Sequence, residues 1–125
     1  MSTPHRKPLV FAGSSQKDLL AVPEEVRIVF GYALHLAQIG QKHTDAKVLK
    51  GYKGAGVLEV VDDYQTDTYR AVYTVRFEGN VYLLHCFQKK SKRGSELPRE
   101  DKELINKRLA WAEEHWKANQ DNKKG

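Results

Sequence analysis

Four basic residues in the second half of the chain have the types needed to cleave a phosphodiester without a metal ion. His85 precedes Lys89 and Lys90 by four and five positions, and Arg70 lies on a predicted neighbouring strand. Histidine changes its protonation near neutral pH and serves as a general acid or base. Guanidinium and ammonium groups stabilise charge that develops on a phosphate. This set fits RNA cleavage by attack of a 2′-hydroxyl on the adjacent phosphate. Strand periodicity equally fits a hydrogen-bonded core histidine at position 85.

Further basic residues surround this candidate catalytic set and predict contacts to the RNA backbone: Lys47, Lys50, Lys53, Arg76, Lys92 and Arg93. The net charge is +5, and residues 89–125 hold 11 basic against 7 acidic residues, whereas residues 1–88 hold 10 against 9. Phosphate backbones are bound by such concentrations of Lys and Arg. We expect one cationic surface at the sheet end that carries Arg70 and residues 89–93. For any single lysine, a plain solvated surface is the competing interpretation.

Several classes of protein are excluded by composition. The longest stretch without a charged residue, residues 28–41, has 14 positions, which is short of the roughly 20 apolar residues of a membrane span. The apolar run 9–12 is too short for a secretory signal, so a cytoplasmic protein is expected. The single cysteine, Cys86, lies in an apolar segment and is expected to be buried. The five histidines are scattered, and neither a metal nor another cofactor is expected.

The first half of the chain is expected to supply one strand and two helices. An apolar run over 8–11 predicts a strand, and Ser15 with Asp18 indicates a short helix over 15–21. The next helix begins near Pro23, ends at Gly40 and has one apolar face. That face is formed by Val26, Phe30, Ala33 and Ala37. Residues 42–56 read as a basic loop interrupted by glycines.

The second half predicts three strands and a helix. The strands are 57–61, 68–77 and 81–88, with a turn at Asp62-Asp63 and a two-residue hairpin turn at Gly79-Asn80. Simple alternation places His85 on the face of Val81 and Leu83. The final helix begins at Pro98 and ends in a frayed tail after Asn119, and its apolar stripe is Ile105, Leu109, Ala112 and Trp116. We therefore expect one α+β domain over residues 1–125, with a core at about 8–117, an antiparallel meander and flanking helices.

Four segments in a fixed order carry a family resemblance. GVLEV at 56–60, TYRAVY at 68–73, LHCFQKKS at 84–91 and the helix entry at Pro98 resemble the phage-derived, HigB-like branch of the RelE/ParE toxin superfamily. The resemblance extends over about residues 8–117. It implies a RelE-like, microbial-RNase-like fold and assigns Arg70 as the phosphate or transition-state ligand. It also matches Lys89, Lys90 and His85 to positions where this branch has lysines and a histidine.

The activity that the resemblance implies is that of a toxin from a type II toxin–antitoxin system. Such a toxin is a metal-independent endoribonuclease that acts on mRNA at the ribosome and is neutralised by an antitoxin with a helix-turn-helix domain, here HigA-like. One departure concerns the residue after the Leu-Glu-aliphatic motif, which is arginine in many relatives and Val61 here. If that arginine is required, either cleavage is weak or Lys53 or Arg76 takes its role. Two alternatives stay open: a ParE-like toxin that inhibits gyrase, and a non-catalytic phage-derived domain that binds nucleic acid or a partner.

Overall fold

A five-stranded sheet with helices on both sides forms the part of the chain that the computed structural model describes, residues 6–89 and 97–124. The elements are β1 (Leu9–Phe11), α1 (Ser15–Ala21), α2 (Glu24–Gln38), β2 (Lys47–Val48), β3 (Val57–Tyr64), β4 (Asp67–Thr74), β5 (Val81–Lys89) and α3 (Arg99–Lys124). The strand order is β1-β5-β4-β3-β2, with β1 parallel to β5 and every other pair antiparallel. The predicted α+β class and the meander β3-β4-β5 are confirmed. The edge strand β2 was not predicted, because it lies within the segment 42–56 that was interpreted as a loop.

One side of the sheet is covered by α1 and α2. The predicted apolar face of α2 is confirmed, since Val26, Phe30, Ala33 and Ala37 are all buried against residues of β3, β4 and β5. Gly40 has φ +82°, which is the left-handed conformation expected where the helix ends. The centre of this face of the sheet is apolar except for the buried hydroxyl of Tyr73.

The opposite side is covered by α3. The predicted stripe packs into a second core, in which Ile105 and Ala112 are fully buried and Leu109 and Trp116 partly so. The helix runs to Lys124, beyond the point near Asn119 where the tail is predicted to begin. No helix within the described residues is both long and apolar enough to cross a bilayer, since the long α3 is strongly polar.

The turn between β3 and β4 differs from the sequence prediction. Asp62 and Asp63 lie inside β3, and the chain reverses instead at Gln65, whose φ is +57°. Tyr64 and Asp67 are cross-strand partners there. Acidic residues resemble turn residues locally, but here cross-strand pairing with β4 continues through them.

The connection from β4 to β5 is longer than a two-residue hairpin. β4 ends at Thr74, whose hydroxyl donates to the Gly56 carbonyl and accepts from the Arg76 N–H. The Val75 N–H still donates to the Gly56 carbonyl, but pairing with β5 ends at Thr74, so the predicted strand to Phe77 is too long. A turn closed by a bond from the Asn80 N–H to the Phe77 carbonyl precedes β5, so the predicted two-residue hairpin turn at Gly79-Asn80 is wrong. Phe77 instead packs in the α3 core, beside Trp116.

A β-bulge in β5 reverses the alternation before the candidate catalytic residues. Tyr73 pairs with Leu83, but the preceding residue, Val72, pairs with His85, which leaves Leu84 as an extra residue. The predicted common face of His85, Val81 and Leu83 is therefore wrong. Val81 and Leu83 face α1 and α2, whereas His85 faces α3.

Candidate functional site

Three of the four predicted catalytic positions lie on adjacent strands at one end of the α3-facing side of the sheet. Arg70 of β4 pairs with Phe87 of β5, and the residues two positions either side of Phe87 are His85 and Lys89. Diagonal neighbours across an antiparallel pair are about 7–8 Å apart, within reach of long side chains. The structure thus brings Arg70, His85 and Lys89 together, although it buries the first two.

Arg70 is buried beside a carboxylate on β3. Its Nη1 lies 3.7 Å from Oε2 of Glu59, and the two side chains are only 2% and 5% exposed. Within the described part of the chain, Nε and Nη1 of Arg70 and Oε2 of Glu59 have no hydrogen-bond partner. A buried polar group without a partner costs about 1–3 kcal/mol, and a charged one costs more. These atoms therefore have free capacity to bind a polar ligand.

His85 is held between the sheet and the first turn of α3. Its Nε2 lies 2.8 Å from Oδ1 of Asp101, and its ring stacks on Phe87 with centroids 4.3 Å apart. Burial lowers the pKa of His85 below its usual 6.5, and the hydrogen bond and charge of Asp101 oppose that shift. A neutral imidazole at physiological pH is the consequence. Nδ1 of the ring is buried and has no partner among the described residues.

A second polar network fixes α3 next to this histidine. Arg108 donates to the carbonyl of the bulge residue Leu84 at 2.9 Å and to Ser14 Oγ at 2.8 Å, and it lies 3.6 Å from Asp18 of α1. A Cβ added to Gly13 would lie 2.7 Å from Arg108 Nε, so glycine is required for this close approach. The network joins α1, β5 and α3 at the bulge.

The predicted RNA-binding residues separate into two groups. Lys47 of β2 pairs with Glu59 and is exposed at the sheet edge, next to the Arg70–Glu59 pair. Lys50, Lys53 and Arg76 are also exposed, but they lie where β3 begins and β4 has ended, at the opposite end of the sheet from Lys89. The expected single cationic surface is therefore divided. Lys90, Lys92 and Arg93 lie outside the described residues.

Two acidic residues of the site received no role from the sequence. Glu59 was visible only as part of the LEV motif, yet an acid between apolar residues in a buried strand signals a buried partner. Asp101 is one of two acids in the first turn of α3, a position where a negative charge is favourable whatever it contacts. Its contact with His85 spans 16 residues and follows from how α3 docks on the sheet.

Val61 lies next to the Arg70–Glu59 pair. It is the cross-strand partner of Arg70 and is half-buried. An arginine at this position, as in many of the relatives that the sequence resembles, would stand directly beside Arg70. Lys53 and Arg76, the suggested replacements, lie at the other end of the sheet and do not occupy that space.

Metal and thiol chemistry find no support in the described residues. Among residues 6–89 and 97–124, no group of three or more His, Cys, Asp or Glu side chains is arranged to hold a metal ion. Cys86 is buried, as expected, and burial raises the pKa of its thiol to about 12. A thiol of this kind stays protonated and unreactive.

Comparison with known proteins gives the family. Residues 17–110 match the family described as phage derived protein Gp49-like (DUF891), which is most of the chain. The chain belongs to this family, and the predicted membership of a phage-derived, RelE-like toxin family is confirmed. The match does not distinguish a HigB-like subgroup.

Solved and curated proteins add less. A chain of the toxin–antitoxin complex RelBE2 from Mycobacterium tuberculosis aligns with 73% of this chain and 100% of its own length, at 15% identity and a TM-score of 0.46. No curated protein sequence matches the chain significantly.

Proposed function

We propose that this protein is the HigB-like toxin of a type II toxin–antitoxin system and that it cleaves mRNA on the ribosome without a metal ion. The observation that carries the proposal is the cluster of buried polar atoms on Glu59, Arg70 and His85 that have no hydrogen-bond partner among the described residues. Unsatisfied charge-bearing groups are rare in folded cores and are concentrated at functional sites. The cluster sits where Lys89 ends β5.

The reaction follows from the chemistry of these groups. The 2′-hydroxyl gives its proton to a base, for which neutral His85 is suited, and its oxygen bonds to the adjacent phosphorus. Arg70 and Lys89 or Lys90 stabilise the added negative charge on the phosphate oxygens. The bond from phosphorus to the 5′-oxygen then breaks, and that oxygen takes a proton. The products are a 2′,3′-cyclic phosphate and a 5′-hydroxyl end.

Burial supports the ribosome-dependent form of this activity. Arg70 is 2% exposed and His85 is 7% exposed in the free protein. A free RNA strand reaches neither group without a rearrangement, and a large partner that binds tightly can supply the free energy for one. Lys47, beside Glu59 at the open edge, is placed to make first contact with a phosphate.

The second partner in this proposal is an antitoxin with a helix-turn-helix domain of the HigA-like type. Its support is the resemblance of the four sequence segments to HigB-like toxins, together with the family to which the chain belongs. Co-expression with the protein encoded by the adjacent gene should restore growth and give a complex on size-exclusion chromatography.

The central test is induced expression followed by mapping of transcript 5′ ends. Wild-type protein should arrest growth and produce new ends inside coding regions. Arg70→Lys keeps the charge beside Glu59 but loses the planar set of donors, so cleavage should fall by roughly 10²- to 10³-fold. Arg27→Lys is the matched control, because Arg27 lies on α2 and contacts the Leu20 carbonyl on the other side of the sheet. Circular dichroism of both variants verifies folding.

The outcomes separate the candidate functions. Growth arrest with DNA damage signalling and unchanged transcript ends would overturn ribonuclease activity in favour of gyrase inhibition. Neither arrest nor cleavage would favour a non-catalytic binding domain. An Arg70→Lys variant that cleaves as fast as Arg27→Lys would remove Arg70 from the catalytic set.

A further inference from the structure

We propose that Asp101 is a positioning residue that holds His85 in the tautomer with a proton on Nε2, which leaves Nδ1 as the proton acceptor. This inference rests on the proposed function for its catalytic meaning, but the tautomer itself is a property of the protein alone. Asp101 has no role in the motifs that relate this chain to a toxin family. It lies on α3, three positions after Pro98, which is the last of the four segments.

The first argument is the geometry of the hydrogen bond. Asp101 Oδ1 lies 2.8 Å from His85 Nε2, and the Asp101 side chain is 24% exposed, so water can support its ionised form. An ionised carboxylate only accepts hydrogen bonds, which requires the proton of a neutral imidazole to be on Nε2. Nδ1 then carries a free lone pair.

The second argument is the state of the other ring nitrogen. Nδ1 of His85 is buried, and no described group hydrogen-bonds to it. In a purely structural histidine, both nitrogens would be expected to have partners, because an unsatisfied buried acceptor is costly. The ring is stacked on Phe87 at an interplanar angle of 18° and is bonded to Asp101 through Nε2, and together these contacts hold its orientation. An acceptor kept free in a fixed orientation is what a general base needs.

The third argument concerns the charges that face His85. Asp101 and Arg108 approach it from α3 and Asp18 from α1, and Arg70 with Glu59 lies on the same face of the sheet. Arg108 and Asp18 are 3.6 Å apart and largely compensate each other, as do Arg70 and Glu59. Asp101 is thus the carboxylate that acts directly on the ring. When Nδ1 takes a proton, Asp101 stabilises the imidazolium that forms.

The experiment compares Asp101→Asn with Glu100→Gln. Both remove one negative charge from the first turn of α3, but Glu100 is exposed and Asp101 bonds to His85. The nitrogen resonances of His85 are followed by NMR over a pH titration of the full chain. Wild type and Glu100→Gln should show one neutral tautomer with the proton on Nε2. Asp101→Asn should show a mixture or the other tautomer, and a His85 pKa below the wild-type value, since the carboxylate that raised it is gone.

Ribosome-dependent cleavage supplies the catalytic measurement. We expect Asp101→Asn to lower the plateau rate by about 10- to 100-fold, a part of the roughly 10²–10⁴ that a positioned base contributes. The acid limb of its pH–rate profile should move to lower pH. A merely structural role would lower the amount of folded protein without moving that limb. Glu100→Gln should retain the wild-type rate and profile.

Two results would overturn the proposal. One is a wild-type His85 that carries its neutral proton on Nδ1. The other is an Asp101→Asn variant whose His85 titrates as in wild type and whose acid limb is unmoved. A wild-type protein that shows no cleavage at all defeats the proposed function instead, and in that case the NMR titration still decides the tautomer.

Discussion

The two sides of the sheet are buried to a similar extent but by different chemistry. The side under α1 and α2 is filled by aliphatic and aromatic groups, such as Phe30 and Val60 at 0% exposure. The side under α3 mixes an apolar core with a buried Arg70–Glu59 pair and the bonded His85. Apolar burial of about 25 cal/mol per Å² stabilises the first side, whereas buried charge contributes little net stability. This difference is the reason we propose the second side as the functional one, whereas the first side mainly stabilises the fold.

The largest expected effect comes from breaking the Arg70–Glu59 pair. Arg70→Met leaves the Glu59 carboxylate buried without its cation, and we expect a loss of about 3–5 kcal/mol in the free energy of unfolding. Adding Glu59→Leu should recover most of this loss, because two apolar side chains fill the site without buried charge. Urea unfolding measures both variants. A double variant as unstable as Arg70→Met would show that the two residues do not act as a unit.

In the same two variants, toxicity should not recover when stability recovers. The double variant should be folded and inactive, since it lacks the guanidinium. Recovery of growth arrest together with recovered stability would assign Arg70 to the fold and not to the site.

A smaller effect is expected from the protonation of His85. Burial lowers the pKa of the folded-state histidine below 6.5, so the unfolded chain binds more protons between the two pKa values. Stability from this residue is complete above about pH 7 and is lost as pH falls below the unfolded value of roughly 6.5. His85→Gln should remove that part of the pH dependence. The measurement is the difference between wild type and variant in unfolding free energy over this range, and identical slopes would contradict the assignment.

The smallest expected effects on stability come from removing the hydroxyl groups of two tyrosines, one on each side of the sheet. Burial raises the pKa of Tyr73 to about 12, and its hydroxyl has no partner among the described residues. Tyr73→Phe should be neutral or stabilising by up to about 1 kcal/mol. Tyr52 donates to Asn106 of α3, and Tyr52→Phe should cost about 0.5–1.5 kcal/mol. Thermal and urea unfolding measure the change in stability of both variants. A large loss on removing the Tyr73 hydroxyl would mean that the apolar side also depends on polar contacts.

Sequence patterns predicted the helices well because helix periodicity is local. Phe30 on α2 and Ile105 on α3 occupy the core as their spacing requires. The predicted face of His85 was wrong because β5 has apolar residues at every position from Val81 to Leu84. No alternation of polar and apolar residues is present there to reveal the bulge. In such a strand, the face to which each residue points is set by its pairing with β4. The sequence of β5 alone does not reveal that pairing.

The candidate site was only partly accessible from sequence. Arg70, His85 and Lys89 were selected for their types and were brought together by strand register. The burial of Arg70 depends on Glu59, 11 positions earlier in the chain. Asp101 reaches His85 only because α3 docks on the sheet face to which the bulge turns the histidine. Such long-range contacts leave no periodic signal.

The extra residue at Leu84 lets two consecutive residues of β5, Leu84 and His85, face α3. Removing Leu84 would restore regular pairing and leave the histidine opposite Val72 on the same face, because it would then follow Leu83 directly. A single-codon deletion at the bulge would thus remove an apolar side chain from the α3 core without turning the histidine away from Asp101. Among relatives, the position of the histidine should be counted backward from Lys89, because counting forward from Val81 crosses the bulge.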